Sequence, residues 1–476
     1  MYFRRIDLLD KILYLLPEIS LLLGILHLIV LYLFSYESPK VYSKVSRLWL
    51  QASFFFLVVF YDKSINTYYF ENNAYTLLFK LLMLIFTYQA LISSSSWFSA
   101  ENKTGIKYLI LVFLSLIISN FLISSVNIIS FIILYSLLTS LNYFLLKLSP
   151  QEISKKYLNV SSLILSIMLI GFIYIFISSN QLSQYKELAG YIDIAHNDFK
   201  VYISATFLML PLLFSLGLVP FHSLKEEEIA KSILPVSHYF AVIMPIVYWA
   251  TLIKYNIFLS KAYEEYLSYS FFIIALFSII LGAIGANSRI NLHRIYTHGS
   301  IYHFGVILML LSFFNNYSNF SGFLYLLLYL ITLNGLYSVF YNLKSHGEFL
   351  SSQISISGLA ETRPHTTRAL LISIFSLLGF PPFAGFLAEF SFINIFLQQK
   401  SYYALLIILI CFLVLAKSYL EIIKTAYFEQ KIKNYDTENK TIQLITLFGI
   451  MLIIVISFNP FNIIEELKDM FYVIYL

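Results

Sequence analysis

The sequence predicts an all-α integral membrane protein with about fourteen transmembrane helices. Its 476 residues are 59% hydrophobic and only 12% charged, and their mean hydropathy is +0.78. A soluble domain would be about half apolar and roughly a quarter charged. The apolar residues also fall in long runs with short polar breaks between them, and about 20 apolar residues in a helix span a bilayer. We therefore expect one polytopic membrane domain over residues 1–476.

Windows of about 19 residues resolve fourteen apolar runs. Six precede the first long polar stretch, at Ile19–Phe34, Leu48–Tyr61, Tyr75–Ile92, Ile106–Ile123, Ile128–Leu146 and Val160–Ile177. Eight follow it, at Val201–Phe221, Leu234–Ile253, Tyr266–Ala286, Ile301–Phe314, Phe320–Tyr341, Ala369–Phe396, Tyr402–Ile423 and Ile442–Phe458. The longest polar stretches, 178–200, 344–368 and 426–441, are too short to form separate domains.

The distribution of Lys and Arg supports this count. Loops after the odd-numbered runs hold 19 of the 31 Lys and Arg residues, whereas the termini and the other loops hold 10. Because the positive excess marks the cytoplasmic side, both termini are expected on the opposite side. In a mitochondrion that side is the intermembrane space.

Composition also excludes several classes of protein. The net charge of +5 is small and spread along the chain, which argues against a nucleic-acid partner. Cys411 is the only cysteine, so this chain is expected to hold neither an internal disulfide nor a multi-cysteine metal or iron–sulfur site. Residues 1–16 carry no cleavage motif, so no removable presequence is expected. The excess of Tyr, Phe, Ile, Asn and Lys is typical of A+T-rich genomes, as in many organelles.

Two runs are interrupted at corresponding places in the two halves of the chain. The interrupting residues are Gly217 and Pro220 in the first run, and Gly379, Pro381, Pro382 and Gly385 in the second. A break frees backbone amides and carbonyls, which a membrane tolerates only against protein or a water-filled cavity. Paired breaks indicate inverted repeats with an ion path between them. The alternative for the first run is that Val-Pro-Phe-His merely ends a helix.

Ionisable residues inside apolar runs are costly and are therefore functional candidates. Glu389 is the clearest, since it follows Pro382 by about two helical turns and can share the face of the break. Lys417 and Glu421 have the i, i+4 spacing of a helical ion pair. For this pair a structural role and a proton relay both stay open.

Two histidines and two further lysines lie in or beside the runs. His238 and His303 lie near run starts, where a neutral imidazole can pass protons or hydrogen-bond to a neighbouring helix. Lys80 is expected to reach a partner or to extend its amine along the membrane surface. Lys254 closes its run and is expected at the membrane interface.

Three motifs carry a family resemblance. The first is Pro220-Phe221-His222 with Glu227 and then Pro235-Val236-Ser237. The second is Asn291-Leu292-His293-Arg294 followed by Ser300 to Gly305, in which His303 is the motif histidine. The third is Leu359 to Pro364 followed by Gly379 to Phe386. Together they resemble the antiporter-like, proton-translocating subunits of respiratory complex I, and the third is most similar to subunit 2.

The resemblance implies a fold and a function. The fold would be two inverted five-helix repeats, about 106–255 and 266–424, each with a broken helix, the seventh and the twelfth, and flanked by 1–95 and 442–476. The function would be proton translocation coupled to electron transfer from NADH to ubiquinone, in the mitochondrial inner membrane. Flavin, iron–sulfur clusters and quinone would lie in other chains, and the partners would be other membrane-arm subunits and lipids.

The resemblance also implies site residues. Glu389 would be the central titratable group, His303 a neighbouring relay, and His222 and Glu227 the polar groups of the first broken helix. The family pattern has further buried charges that this chain lacks by motif spacing, because they fall at Ser215, Pro245 and, near the fifth run, Leu137. The N-terminal half is therefore expected to be stripped of its usual charges.

Three alternatives remain open at this point. The chain could be the related subunit 4, which usually carries glutamate in its twelfth span. It could be a degenerate antiporter-like subunit with a structural role and no proton flux, as the missing lysines suggest. It could also be part of an independent cation/proton antiporter, although such a protein would be expected to keep those lysines.

Overall fold

The structure is a computed structural model. It describes residues 15–34, 39–59, 65–95, 97, 104–194, 199–259, 264–287, 290–345, 348–432, 435–436, 440–458 and 462–473. This part of the chain is almost entirely helical, which confirms the all-α class.

The described helices are, in chain order, α1 (Leu16–Leu33), α2 (Pro39–Val59), α3 (Ala74–Ser94), α4 (Thr104–Ser124), α5 (Ile128–Leu146), α6 (Gln151–Ser178), α7 (Tyr185–Ile194), α8 (Phe199–Leu216), α9 (His222–Ala230), α10 (Leu234–His238), α11 (Met244–Leu259), α12 (Glu264–Asn287), α13 (Leu292–Leu311), α14 (Asn316–Asn342), α15 (Leu359–Thr362), α16 (Pro364–Leu377), α17 (Ala384–Gln398), α18 (Tyr402–Phe428), α19 (Lys440–Ser457) and α20 (Ile463–Tyr472). A π-helical turn, Tyr239–Ile243, joins α10 to α11, and a 3₁₀ turn covers Gln353–Ile356.

Two short antiparallel hairpins accompany the helices. One pairs β1 (Ile65–Asn66) with β2 (Glu71–Asn72), and the other pairs β3 (Lys344–Ser345) with β4 (Glu348–Phe349). Both lie in polar connections between predicted runs.

Two compact units divide the chain. Residues 1–212, 243–263 and 469–476 form the first, in which α1 packs on α2 and α4, and α5 packs on α4 and α6. Residues 213–242 and 264–468 form the second, in which α12 packs on α13 and α18. Each unit is thus built from helices packed on helices.

Within the described residues, nine helices are long and apolar enough to cross a membrane. Three shorter apolar helices accompany them, at Val201–Leu216, Ala384–Gln398 and Thr441–Ile456. The fold is therefore that of a multi-pass membrane protein. Each of the fourteen predicted runs overlaps a helix, but several of these helices are too short or too polar to be counted as spans on their own.

Both predicted interruptions are present. Helix α8 ends at Leu216 and α9 begins at His222, whereas α16 ends at Leu377 and α17 begins at Ala384. Gly217 and Gly379 follow the first half-helices in the left-handed region, with φ of +74° and +63°. Only glycine adopts this conformation without a steric penalty. The peptide bonds Val219–Pro220 and Pro381–Pro382 are both cis.

Helix α14 is the core of the second unit. All its residues from Ser318 to Asn342 are buried, and it packs against α13, α16, α17 and α19. A helix that is apolar on all sides belongs in the interior. The polar side chains that it carries must therefore find partners on neighbouring helices.

A buried ion pair joins α1 to α3 in the first unit. Lys80 Nζ lies 3.4 Å from Glu18 Oε1, and both side chains are almost fully buried. The sequence allowed Lys80 either a partner or a membrane-surface position, and the structure gives it a partner. We predict that Glu18→Gln destabilises the protein by about 3–5 kcal/mol, because a buried charge would lose its counter-ion.

The thermal unfolding of the detergent-solubilised protein measures this effect. The double variant Glu18→Leu/Lys80→Met should recover much of the lost stability, since it buries no charge. Lys417→Met is the control, because that lysine is 63% exposed. An unfolding midpoint for Glu18→Gln no lower than that of the control would contradict the prediction.

Candidate functional site

Three side chains from three helices form a hydrogen-bonded chain beside the second helix break. Tyr325 of α14 donates its hydroxyl to Glu389 Oε1 of α17 at 2.9 Å. The same hydroxyl lies 2.9 Å from Nδ1 of His303 in α13. The structure therefore brings the two leading predicted residues together through a tyrosine that the sequence did not single out.

A small cavity adjoins this chain. It is narrow, with room for about one water molecule. Its lining combines polar and apolar side chains, namely His303, Tyr325, Leu328, Tyr329, Thr332, Ser376, Leu377, Gly385, Ala388 and Glu389. The carboxyl group of Glu389 is thus beside a small space that the break opens between the helices.

Hydroxyl groups stabilise the broken backbone. Ser376 Oγ accepts a hydrogen bond from the backbone N–H of Gly385 at 3.2 Å and lies 3.0 Å from Thr332 Oγ1. A Cβ at Gly385 would collide with the backbone of Ser376. The break therefore requires glycine here, and it exchanges a helical hydrogen bond for one to a side chain.

A second histidine site lies further along α14. His238 is buried, its Nε2 lies 2.9 Å from Asn334 Oδ1, and its ring stacks on Tyr337 at 4.6 Å between centroids. Tyr325 and Tyr337 are separated by about 18 Å along the helix at 1.5 Å per residue. His238 is thus next to the same helix as Glu389 but in a separate group of contacts.

The first break holds a different set of charges from the one predicted. Glu227, the residue at the motif position, pairs with Lys231 at 3.4 Å on a partly exposed face. Its neighbour Glu226 turns inward, where its carboxylate lies 3.5 Å from Arg294 Nη1 and 3.3 Å from His298 Nε2. Glu226, and not Glu227, therefore contacts the buried His298.

His222 is half-buried at the start of α9, on the segment that also carries Glu226 and Glu227. Its role at the first break remains a prediction. Arg294 and His298 lie in the first two turns of α13, before the apolar run that was predicted to begin at Ile301. A hydropathy window leaves out such polar turns, although in the structure their side chains contact Glu226.

A buried lysine lies beside Ser215, one of the positions at which this chain lacks a charge of the family pattern. Lys225 Nζ lies 3.2 Å from Glu228 Oε2 and donates a hydrogen bond to the carbonyl oxygen of Ser215 at 3.1 Å. Position 215 itself carries no lysine, as expected, but a buried ammonium group lies beside its backbone. In the sequence Lys225 starts a run of four charged residues, a pattern that normally indicates a solvated surface.

Lys254 was expected at the membrane interface, and that position remains a prediction. Its side chain is buried in the first unit, and its Nζ donates to the carbonyl oxygen of Ile123 at 3.2 Å. Lys417 and Glu421 lie on an exposed face of α18 with 63% and 47% of their side chains accessible, and their charged atoms are 3.9 Å apart.

The described residues contain no group of three or more His, Cys, Asp or Glu side chains that is arranged to hold a metal ion. Their ionisable groups form ion pairs, as Lys225 does with Glu228, or hydrogen bonds to hydroxyls and amides, as Glu389 and His238 do. The arrangement that the fold builds is therefore one of proton donors and acceptors around helix breaks.

Comparison with known proteins gives the family. A sequence model of the NADH:quinone oxidoreductase/Mrp antiporter transmembrane family matches residues 125–415, and the chain belongs to this family. It is 27% identical to NADH-quinone oxidoreductase subunit N of Pelagibacter ubique over 323 residues, and this aligned stretch covers 67% of each chain.

Solved structures share the fold. A chain of the Mrp complex from Dietzia superposes with a TM-score of 0.85 at 16% identity, covering 98% of both chains. A chain of respiratory complex I from Thermus thermophilus superposes with a TM-score of 0.77 at 17% identity, covering 94% of this chain and 98% of that one. The antiporter-like membrane fold is therefore established for this chain.

We predict that Gly379→Ala destabilises the protein by about 1–2 kcal/mol or more, because a non-glycine residue is strained in the left-handed region. The added Cβ would also lie 2.6 Å from Cγ of Glu389 and would displace its side chain. Gly190→Ala is a matched control, since a Cβ there meets no atom within 4 Å. Equal thermal unfolding midpoints for the two variants would contradict the prediction.

Proposed function

We propose that this chain is a membrane-arm subunit of NADH:quinone oxidoreductase, of the subunit 2 type, that takes part in proton translocation coupled to electron transfer. The observation that carries the proposal is the hydrogen-bonded chain from His303 through Tyr325 to Glu389. It is assembled at a helix break inside a membrane-spanning unit.

The chemistry of these groups suits proton transfer. A carboxyl group, a phenol and an imidazole each hold a proton that a hydrogen-bonded neighbour can accept. With contacts of 2.9 Å, a proton can move between them with little motion of heavy atoms. Glu389 is the group proposed to take up and release the proton, and the adjacent cavity has room for about one water molecule.

Family membership and the similarity to subunit N support the wider part of the proposal. The proposed architecture has fourteen spans with two inverted repeats. The proposed partners are the neighbouring membrane-arm subunits and lipid. Flavin, iron–sulfur clusters and quinone are assigned to other chains. The amino-acid bias supports the mitochondrial inner membrane as the location, with both termini toward the intermembrane space.

A role as a structural spacer is the main alternative, and the exposed pair Lys417–Glu421 is compatible with it. The hydrogen bond that Glu389 accepts from the buried Tyr325 favours proton handling, because a packing role alone would be served better by an apolar residue. The similarity to the Mrp complex also keeps an independent antiporter as a second candidate. Co-purification with flavin and iron–sulfur subunits would indicate a subunit of NADH:quinone oxidoreductase, and recovery without them would indicate an independent antiporter.

We predict that Glu389→Gln lowers proton pumping per NADH oxidised by about tenfold or more, since a positioned proton donor commonly contributes on the order of 10²–10⁴-fold. Gln keeps the size and the hydrogen bond from Tyr325 but cannot exchange its proton. The measurement is proton uptake into liposomes that contain the purified complex.

Glu421→Gln is the matched control, because it removes the same charge from an exposed position. The amount of assembled complex is measured for both variants. Unchanged pumping by an assembled Glu389→Gln complex would mean that the assigned role is wrong and would favour the spacer.

A further inference from the structure

The first helix break contains a buried cation that the proposed function does not use. Lys225 and Glu228 of α9 each have 5% of the side chain exposed, and their charged atoms are 3.2 Å apart. The ammonium group also donates to the carbonyl oxygen of Ser215 and lies 5.3 Å from the ring centre of Phe240.

A second, more exposed ion pair in the same segment serves as a comparison for the buried pair Lys225–Glu228. Lys231 and Glu227 lie on the same short helix or at its end, their charges are 3.4 Å apart, and they are 38% and 27% exposed. Such exposed pairs contribute little to stability. A buried pair carries a desolvation penalty that often exceeds its attraction, so stability alone does not explain Lys225.

The two breaks have the same local arrangement. Gly217 and Gly379 each end a first half-helix with positive φ. A Cβ on Gly217 would collide with the stem of Lys225, and a Cβ on Gly379 would collide with the stem of Glu389. Each break therefore packs a glycine against an ionisable side chain from the second half-helix.

The structure assigns to the buried Lys225 the position at the first break that the half-buried Glu389 holds at the second, as the group that releases and regains a proton, with Glu228 as its counter-ion. This inference rests on the proposed function and adds a second proton-handling residue to it. In the step, one N–H bond of the ammonium breaks and the proton passes to the Glu228 carboxylate. The products are a neutral amine and a carboxylic acid.

The carbonyl of Ser215 suits both forms of the lysine. It belongs to the last turn of α8, where helix carbonyls have no partner within the helix. The ammonium donates to it in the structure, and the neutral amine would still have N–H groups to do so. The backbone contact can therefore persist while the proton moves.

Lys225→Arg tests the assignment in the assembled complex. Arginine keeps the positive charge, the ion pair and the hydrogen-bond donors, but it does not lose its proton in proteins. We expect assembly to be retained and proton pumping per NADH to fall by about tenfold or more. Lys231→Arg, the same change in the exposed pair, should pump as the unchanged protein does.

Lys225→Gln is the second variant, since it removes the charge and keeps a donor for Ser215. Normal pumping by either assembled Lys225 variant would overturn the inference, and so would failure of both to assemble, which would indicate a structural pair. If Glu389→Gln impairs pumping and Lys225→Arg does not, the proposed function stands and this inference fails. If neither variant changes pumping, the proposed function itself fails.

Discussion

A polar group that a helix carries into a membrane has to find its partner inside the protein, because the lipid offers none. Helix α14 shows how far this constraint reaches. It is buried along nearly its whole length, yet it carries Tyr325, Tyr329, Thr332, Asn334 and Tyr337. Each of these has a side-chain partner on a neighbouring element. The positions of the surrounding helices are thereby tied to the hydrogen bonds of one central helix.

The helix breaks are subject to the same constraint. When α16 ends and α17 begins, a freed backbone amide at Gly385 is satisfied by the hydroxyl of Ser376. That hydroxyl is itself in contact with Thr332 on the central helix. The break is therefore a fixed element of the interior and not a loose loop, and the side chain of Glu389 projects from a defined place.

The sequence predicted some of this arrangement well, for a physical reason. A lone acid such as Glu389 in an apolar run, and glycine and proline inside a span, are strong local signals. The interruptions followed from these signals and the fold class from the long apolar runs, whereas the position of His303 near Glu389 was implied by the family resemblance. Tyr325 gave no signal, because tyrosine is common in this chain and only three-dimensional packing selects one of many.

The charges of the first break were harder to predict. In a run of four charged residues, the sequence does not tell which side chains turn inward, since that depends on the helix end behind them and on α13 beside them. Glu227 was therefore named where Glu226 and Glu228 are buried. Lys254 was expected at an interface because it closes an apolar run; that its side chain is enclosed by protein gave no signal in the sequence.

The contact between Lys225 and Ser215 ties together the two half-helices of the first break. The ammonium group belongs to α9, and the carbonyl oxygen that it contacts belongs to the end of α8. A displacement of one half-helix along the other would stretch this hydrogen bond. The first break is thus held across its gap by a charged side chain, whereas the second is held by the neutral hydroxyl of Ser376.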